Sequence, residues 1–332
     1  MSPIEPLPKR PFDSTGIEVG CVGLGCSPFG HAYGSPNEDA AIAAVQEAFR
    51  QGVNFFDVAP FYAAGDAEKL LGRALKGLPR SQIIVATKVG KYKAGEPEDF
   101  SAERVTQSVH ESLERLQLEY IDVIQCHDIE SAKDMKQIVT ETIPALQKLK
   151  KQGLVRFIGI TGLPLDIYTY VLDRVPVGSV DCILSYCHNN LSDNTLVELL
   201  PYLKEKRVAV ISASFSSMGL LTQKGPPAWH PAPKNMQAAA RKAAALCEEK
   251  GTDLAKIAIK EFVRTPGIAV HLMGMCTPEE VLYDTQVVRE ALGLVPNPKE
   301  ALENEVLQEV KELLKPHLNT TWKTGRSDNR TP

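Results

Sequence analysis

The chain alternates between two patterns. Short runs of nearly uninterrupted apolar residues, rich in valine and isoleucine, alternate with longer stretches whose apolar positions recur every three to four residues. Runs at 20–25, 54–59, 83–89, 121–127, 155–161, 181–187, 208–214 and 268–275 read as strands. A strand with one wet face alternates polar and apolar residues, whereas a strand covered on both faces does not. The runs therefore predict a parallel sheet packed under helices.

The intervening stretches carry the matching helix signals. Ser35-Pro36-Asn37-Glu38 has the form of a capping box with proline in the first turn, and Ile42, Val45 and Phe49 follow at helical spacing. Val105, Val109, Leu113 and Leu116 form a similar stripe, and residues 66–75 predict a helix with acid in its first turn and Gly77 beyond its end. Ahead of the repeat, residues 12–19 set turn formers between apolar flanks and predict a hairpin. Two places depart from the rhythm. Between 214 and 268 lie the proline-rich loop Gly225-Pro226-Pro227-Ala228-Trp229-His230-Pro231 and two helical patterns. After the eighth unit, Leu302, Val306, Val310 and Leu313 mark an extra helix, and a tail from about 316, with Trp322, is expected to lie over the site.

No linker divides these units, so the prediction is one α/β domain over residues 1–332. Its architecture is a (β/α)8 TIM barrel with an N-terminal β-hairpin, a long loop after strand seven and an extra C-terminal helix. A doubly wound sheet competes, but Gly23-Leu24-Gly25-Cys26-Ser27-Pro28 lacks the third glycine of a dinucleotide-binding turn.

Charge narrows the partners. Net charge is -4 over 332 residues, with no block of five basic side chains, which argues against nucleic acid and anionic membranes and leaves a small-molecule substrate. No stretch approaches the roughly 18 apolar residues of a membrane span and no apolar leader opens the chain, so a cytoplasmic protein is expected. Seven scattered cysteines without paired-ligand spacing predict reduced thiols, no disulfide framework and no metal site.

Barrel chemistry sits at the carboxyl ends of strands. The second run ends in Asp57, and Pro60 then forces the chain out of the sheet, letting Tyr62 fold back over its own strand. The third run ends in Lys88 and the fourth in His127. A lysine closing an apolar strand needs a partner once desolvated, and Asp57 can supply it. Lys88 is then expected to stabilise the phenolate of Tyr62 and lower its pKa from about 10 towards working pH. Tyr62 would exchange a proton while His127 positions a carbonyl or hydroxyl oxygen. Each residue alone is ordinary; four on three neighbouring strands point to chemistry at an oxygen.

In that order and context, Asp57, Tyr62, Lys88 and His127 resemble the catalytic tetrad of the aldo-keto reductases. The resemblance implies the barrel, a nicotinamide cofactor bound extended without a Rossmann turn, and hydride transfer with Tyr62 as acid and base. It places cofactor contacts at Gly25, Cys26 and Ser27, at Asp57, at Thr161 beside Gly162, at Ser185, and at Ser214, Phe215, Ser216, Ser217, Met218, Gly219, Leu220 and Leu221. Others fall at Gly274, Met275, Cys276, Thr277, Glu280 and Asp284. Thr161-Gly162 stands where the family usually has Ser-Asn or Ser-Arg, so one contact to the carboxamide is expected to be lost. The family's stacking aromatic in strand seven falls on Ala213, which leaves Phe215 for the nicotinamide face.

The family commonly grips a 2′-phosphate with Lys or Arg after strand eight. Here no basic residue follows before Arg289, and Glu280 would accept from a ribose 2′-hydroxyl and repel a phosphate, so NAD is expected. Thr277-Pro278-Glu279-Glu280 reads equally as a helix-capping box. Finer texture, in residues 125–130, 185–188 and 212–214, is similar to plant members that oxidise L-galactose at C1 to L-galactono-1,4-lactone on the way to ascorbate. That implies a polar sugar pocket, with His188, Asn189 and Asn190 as candidate contacts and Trp229 or Trp322 as a platform. An NADPH-dependent aldehyde or aldose reductase of the same fold and a non-catalytic cofactor-binding subunit stand as alternatives. Cys126 reads either as an oxidant-sensitive thiol or as a buried, inert one.

Overall fold

The structure is a computed structural model and describes residues 6–34 and 37–322. The chain opens on an antiparallel hairpin of β1 (Lys9–Pro11) and β2 (Glu18–Gly20). Its turn is closed by the Phe12 N–H donating to Ile17 O at 2.9 Å, with Gly16 in the left-handed region at φ 76°. The hairpin plugs the barrel floor. Phe12 is fully buried, its ring centroid 6.0 Å from Phe55 and 6.4 Å from Phe157, and Arg10 donates to Ile268 O at 2.9 Å.

Eight strands follow: β3 (Val22–Gly25), β4 (Phe55–Asp57), β5 (Ile84–Val89), β6 (Ile121–Cys126), β7 (Val155–Gly162), β8 (Cys182–Tyr186), β9 (Ala209–Ala213) and β10 (Val270–Gly274). They pair in parallel in chain order, and β10 closes on β3 through Gly274 opposite Gly25. The barrel expected from the continuous apolar runs is what forms. Every residue of β5 and β6 is buried, because barrel side chains fill one face and helices the other. The inner face stacks Phe55, Ile84, Ala86, Val123, Cys182, Leu184 and Ile211, while alternate residues such as Phe56, Val85, Ile124, Ile183 and Val210 join the outer core.

The outer layer comprises α1 (Glu38–Arg50), α2 (Asp66–Ala74), α3 (Ala102–Leu116), α4 (Met135–Gln137), α5 (Ile143–Lys151), α6 (Asp166–Leu172), α7 (Leu196–Glu205), α8 (Lys234–Glu249), α9 (Leu254–Val263), α10 (Pro278–Ala291) and α11 (Glu300–Leu314). A π-helical stretch, Ile138–Thr142, joins α4 to α5 just before Pro144, which has no N–H to continue a regular ladder. The cap of α1 differs from the expected one: Asn37 Oδ1 accepts from Ala40 N at 3.1 Å, and Ser35 and Pro36 lie outside the described residues. Helix α11 is anchored by Glu303, 1% exposed, which pairs with Lys260 at 2.5 Å and Lys256 at 2.7 Å on α9. Beyond it, Asn319 N donates to Ser192 O at 2.8 Å, and the expected tail past 322 lies outside the described residues. Among the described residues, no helix is long and apolar enough to cross a membrane.

Candidate active site

The carboxyl ends of β4, β5 and β6 bring the four predicted side chains together. Lys88, 2% exposed, closes β5 and donates to Asp57 Oδ1 at 2.5 Å and Val58 O at 2.8 Å, and its Nζ lies 3.5 Å from the Tyr62 hydroxyl. Its three donors are thus committed. Asp57 Oδ2 accepts from Gln125 Nε2 at 2.8 Å. Gln125, not among the predicted site residues, could have been found by parity, since it sits two residues before His127 on the same face of β6. His127 stands edge-on to both Tyr62 and Phe61, with ring centroids 6.0 and 5.9 Å away. Its Nε2 lies 3.9 Å from Asp128 Oδ2, and Asp128 pairs with Lys91 at 2.8 Å.

Tyr62 comes off β4 in a tight turn. Pro60 ends the strand, Tyr62 N donates to Ala59 O at 3.1 Å, and Ala63 and Ala64 both take left-handed backbone angles at φ 50°. A left-handed alanine costs roughly 1–2 kcal/mol, so the surroundings impose this turn.

One expectation is overturned by the electrostatics. The Tyr62 phenol is pushed well above its usual range, first by burial, then by Asp57, Asp128 and Cys26. Lys88, 3.5 Å away, does not offset this alone, because it shares its charge with Asp57. A cationic nicotinamide ring is the kind of charge that would.

The implied cofactor residues lie on the adjoining half of the same mouth, at the ends of β9, β10 and β3. Ser214 has φ 66°, and Ser217, Met218 and Gly219 follow at 49°, 56° and 95°. Ser217 N donates to Ser214 O, Gly219 N to Ser216 Oγ, Leu220 N to Ser217 O and Leu221 N to Ser216 O. The N–H groups of Phe215, Ser216 and Met218 carry no bond to the described residues, which leaves donors suited to an anion such as a pyrophosphate. Gly25 and Gly274 face each other across β3 and β10, with Pro28 Cγ 3.0 Å from where a Cβ on Gly274 would stand. Cys26 is buried, its N–H bonded to Asp57 O at 2.7 Å, and Ser27 opens a short 3-10 turn. Met275 is buried, and Leu220 packs under the long loop with Ala232, Met236 and Ala240.

Several predicted contacts point elsewhere. Phe215 packs on Phe262 of α9, with centroids 6.0 Å apart in the outer core, and is no nicotinamide platform. The left-handed Ser214 ends the pleat, so counting by two from Ala213 fails. Ser185 lies on the outward face of β8, beside the Tyr168 hydroxyl of α6; the residue facing the barrel interior is Tyr186. Thr161 is engaged with Asp128, its Oγ1 accepting from Asp128 N at 2.9 Å. At Gly162 a Cβ would lie 2.5 Å from Glu130 Oε2, so that carboxylate fills the space a side chain would take.

The proposed sugar contacts are each engaged on one side by neighbouring residues, while His188 Nε2 and Asn189 Nδ2 have no hydrogen-bond partner among the described residues. His188 Nδ1 lies 3.1 Å from Asp193 Oδ2 and 2.9 Å from Thr195 Oγ1; Asn190 Oδ1 accepts from Ser192 N at 2.8 Å, and Asn189 Oδ1 accepts from Thr265 Oγ1 at 2.9 Å. Trp229 does reach the rim, half exposed, its Nε1 donating to Ala32 O at 3.0 Å and its ring 5.7 Å from Tyr33. Trp322 packs edge-on to His230, whose Nε2 donates to Ser217 O at 2.8 Å. Tyr33 is close enough to Tyr62 and Cys187 for their charges to raise its phenol further, on top of burial. Tyr33, Phe61 and Tyr186 were the aromatics the sequence reading missed. Cys126 is buried, with its thiol pushed up to about 12, and therefore inert.

The aldo/keto reductase family model matches residues 21–292, most of the barrel. The chain belongs to the aldo/keto reductase family. L-galactose dehydrogenase of Arabidopsis thaliana is 52% identical over 322 residues, which cover 96% of this chain and 98% of that protein. D-arabinose 1-dehydrogenase of Saccharomyces cerevisiae is 33% identical over 298 residues, covering 85% and 86%. Among solved structures, an aldo-keto reductase from Bacillus halodurans in its holo form superposes with a TM-score of 0.73 at 24% identity, covering 97% and 100%, and supports the fold. Family membership makes the chain a nicotinamide-dependent oxidoreductase, and its dehydrogenase relatives place it with enzymes acting on sugars.

After β10 the acidic residues are held by the start of α10. Thr277 Oγ1 accepts from Glu280 N at 3.2 Å, and Glu280 Oε2 accepts from Cys276 N at 2.7 Å, so Glu280 caps the helix as the alternative reading had it. Beside it the Cys276 thiol is pushed up to about 11, by burial and then by Glu280. Asp284 is pushed up to about 8 by burial, then by Glu280 and Asp253. Because its folded pKa lies above the unfolded value, its contribution to stability falls as pH rises between about 4 and 8. Asp284→Asn should therefore raise Tm more at pH 8 than at pH 5; equal shifts at both would show that Asp284 is ionised throughout.

Proposed function

We propose that the protein is an NAD-dependent sugar dehydrogenase that oxidises L-galactose at C1 to L-galactono-1,4-lactone, a step towards ascorbate. The observation that carries this reading is the convergence of a buried Lys88–Asp57 pair, the Tyr62 hydroxyl and the His127 ring on one mouth. The similarity to the Arabidopsis enzyme supports the choice of sugar.

Tyr62 as phenolate takes the proton of the anomeric hydroxyl, and His127 orients that oxygen. When bound, the nicotinamide supplies the hydride acceptor and a positive charge beside the phenol. Phe215, Ser216 and Met218 offer backbone donors to its pyrophosphate. Lys88 and Asp57 hold each other and so keep a dry, near-neutral wall behind Tyr62. Tyr33 and Trp229 at the rim provide flat faces of the kind sugars stack on.

For the cofactor, the charges that act on Asp284 are Glu280 and Asp253, both negative, which supports NAD over NADP. Glu280→Arg should raise kcat/KM for NADP about tenfold or more relative to NAD, since it replaces repulsion by a charge-assisted contact. A wild type that already prefers NADP would end this part of the proposal. The substrate is tested by kcat/KM over a panel of L-galactose, L-gulose, L-fucose and D-arabinose with NAD, alongside simple aldehydes with NADPH. Preferred reduction of the aldehydes would favour the reductase alternative, and no turnover on any of them would favour the non-catalytic one.

A further inference from the structure

Behind the Tyr62 turn lies a polar network that the tetrad does not include. Glu68, on α2, is fully buried. Its Oε1 accepts from Thr87 Oγ1 at 2.6 Å, and its Oε2 accepts from Arg115 Nε at 2.5 Å. Thr87 is the residue before Lys88 on β5, Arg115 is in the last turn of α3, and α2 follows directly on the Tyr62 turn. One carboxylate thus ties the strand that carries the lysine to the helix that trails the tyrosine.

The turn needs a restraint. Ala63 and Ala64 both hold φ 50°, which alanine avoids, and Ala64 is exposed, so packing does not account for it. Ala63 lines an outward groove with Phe29 and Arg115, and that side gives it no close-packed backing. What does abut the turn is Arg115: a Cβ on Gly65 would lie 2.9 Å from Arg115 Cδ, so only glycine lets the arginine stem pass under the turn on its way to Glu68. Gly65 itself has φ 94°. Arg115 also holds Ser112 Oγ at 3.3 Å, and its side chain is 20% exposed, which fixes the stem from the α3 side.

We propose that Arg115, Glu68 and Thr87 form a clamp that keeps the Ala63–Ala64 turn in its left-handed form and thereby sets the distance between the Tyr62 hydroxyl and Lys88. They are positioning residues, and the proposal rests on the reading of Tyr62 as the proton-transfer group.

The test uses Arg115→Lys, which keeps the charge but loses the planar fork, and Thr87→Val, which removes only the hydroxyl. Either should lower kcat on L-galactose by about tenfold or more, the scale that small displacements of a reacting group produce. NADH affinity, read by fluorescence, should move less than twofold. The pH at which kcat/KM reaches half its maximum should rise as the phenol drifts from Lys88. Adding Ala64→Gly to Arg115→Lys should restore a substantial part of kcat, because glycine takes this backbone angle freely. Unchanged kcat per folded molecule in both single variants, or no recovery on adding Ala64→Gly, would overturn the clamp. Tyr62→Phe, run in parallel, separates the two claims: full turnover in that variant ends the reading of Tyr62, whereas a dead Tyr62→Phe with unaffected clamp variants ends only this inference.

Discussion

Tyr62→Phe should lower kcat/KM for sugar oxidation by about 10²- to 10⁴-fold, the span that positioned proton transfer supplies, and leave NADH binding intact. The phenylalanine keeps the ring that faces His127 and loses only the hydroxyl 3.5 Å from Lys88. Steady-state kinetics with a fluorescence measurement of cofactor affinity checks it, and a variant that oxidises L-galactose at the wild-type rate refutes it. The wild-type profile should also be steep in one direction. Because the walls of the mouth hold the phenol well above its usual range, oxidation should speed up as pH rises, and reduction should be favoured at lower pH. An oxidation rate flat from pH 6 to 10 would mean that another group takes the proton.

The second large effect falls on stability as well as on rate. Lys88→Met leaves the Asp57 carboxylate buried with the Gln125 amide as its remaining side-chain donor, and Val58 O loses the Lys88 contact. Breaking one side of a buried pair costs roughly 3–5 kcal/mol. Tm should fall by several degrees and turnover should disappear. The double variant Lys88→Met/Asp57→Asn should regain part of the lost stability, since the uncompensated charge is gone, while turnover stays absent. Denaturant unfolding measures the first and kinetics the second. If the double variant were no more stable than Lys88→Met, desolvation of Asp57 would not be the cause.

The barrel was legible because its strands are covered on both faces, which leaves runs such as 83–89 and 121–127 with no polar alternation to confuse them. The tetrad was legible for a related reason: a lysine, an acid and a histidine ending apolar strands have few other ways to be satisfied. What escaped the sequence depended on parity and backbone sign. Side chains on a strand alternate, so a displacement of one residue sends Ser185 outward and Tyr186 inward. Beyond Ala213 the left-handed Ser214 abolishes the alternation and turns Phe215 into the helix layer. The loop residues His188, Asn189 and Asn190 have the right chemistry for a sugar, but that same chemistry bonds them to Asp193, Thr265 and Ser192, and composition cannot tell the two uses apart. Glu280 carried both readings on one side chain, and helix capping is the one its hydrogen bond to Cys276 N displays.

The hairpin that plugs the floor makes the first and last described segments unequal neighbours of the chemistry. Its strands sit under the barrel, with Arg10 fastened to Ile268 on the side away from the chemistry, whereas Trp322 rests against His230 within reach of the left-handed turn. Changes to the hairpin should therefore act on the stability of the barrel and leave its mouth alone. Changes to the Trp322 ring would be felt at that turn, one histidine away.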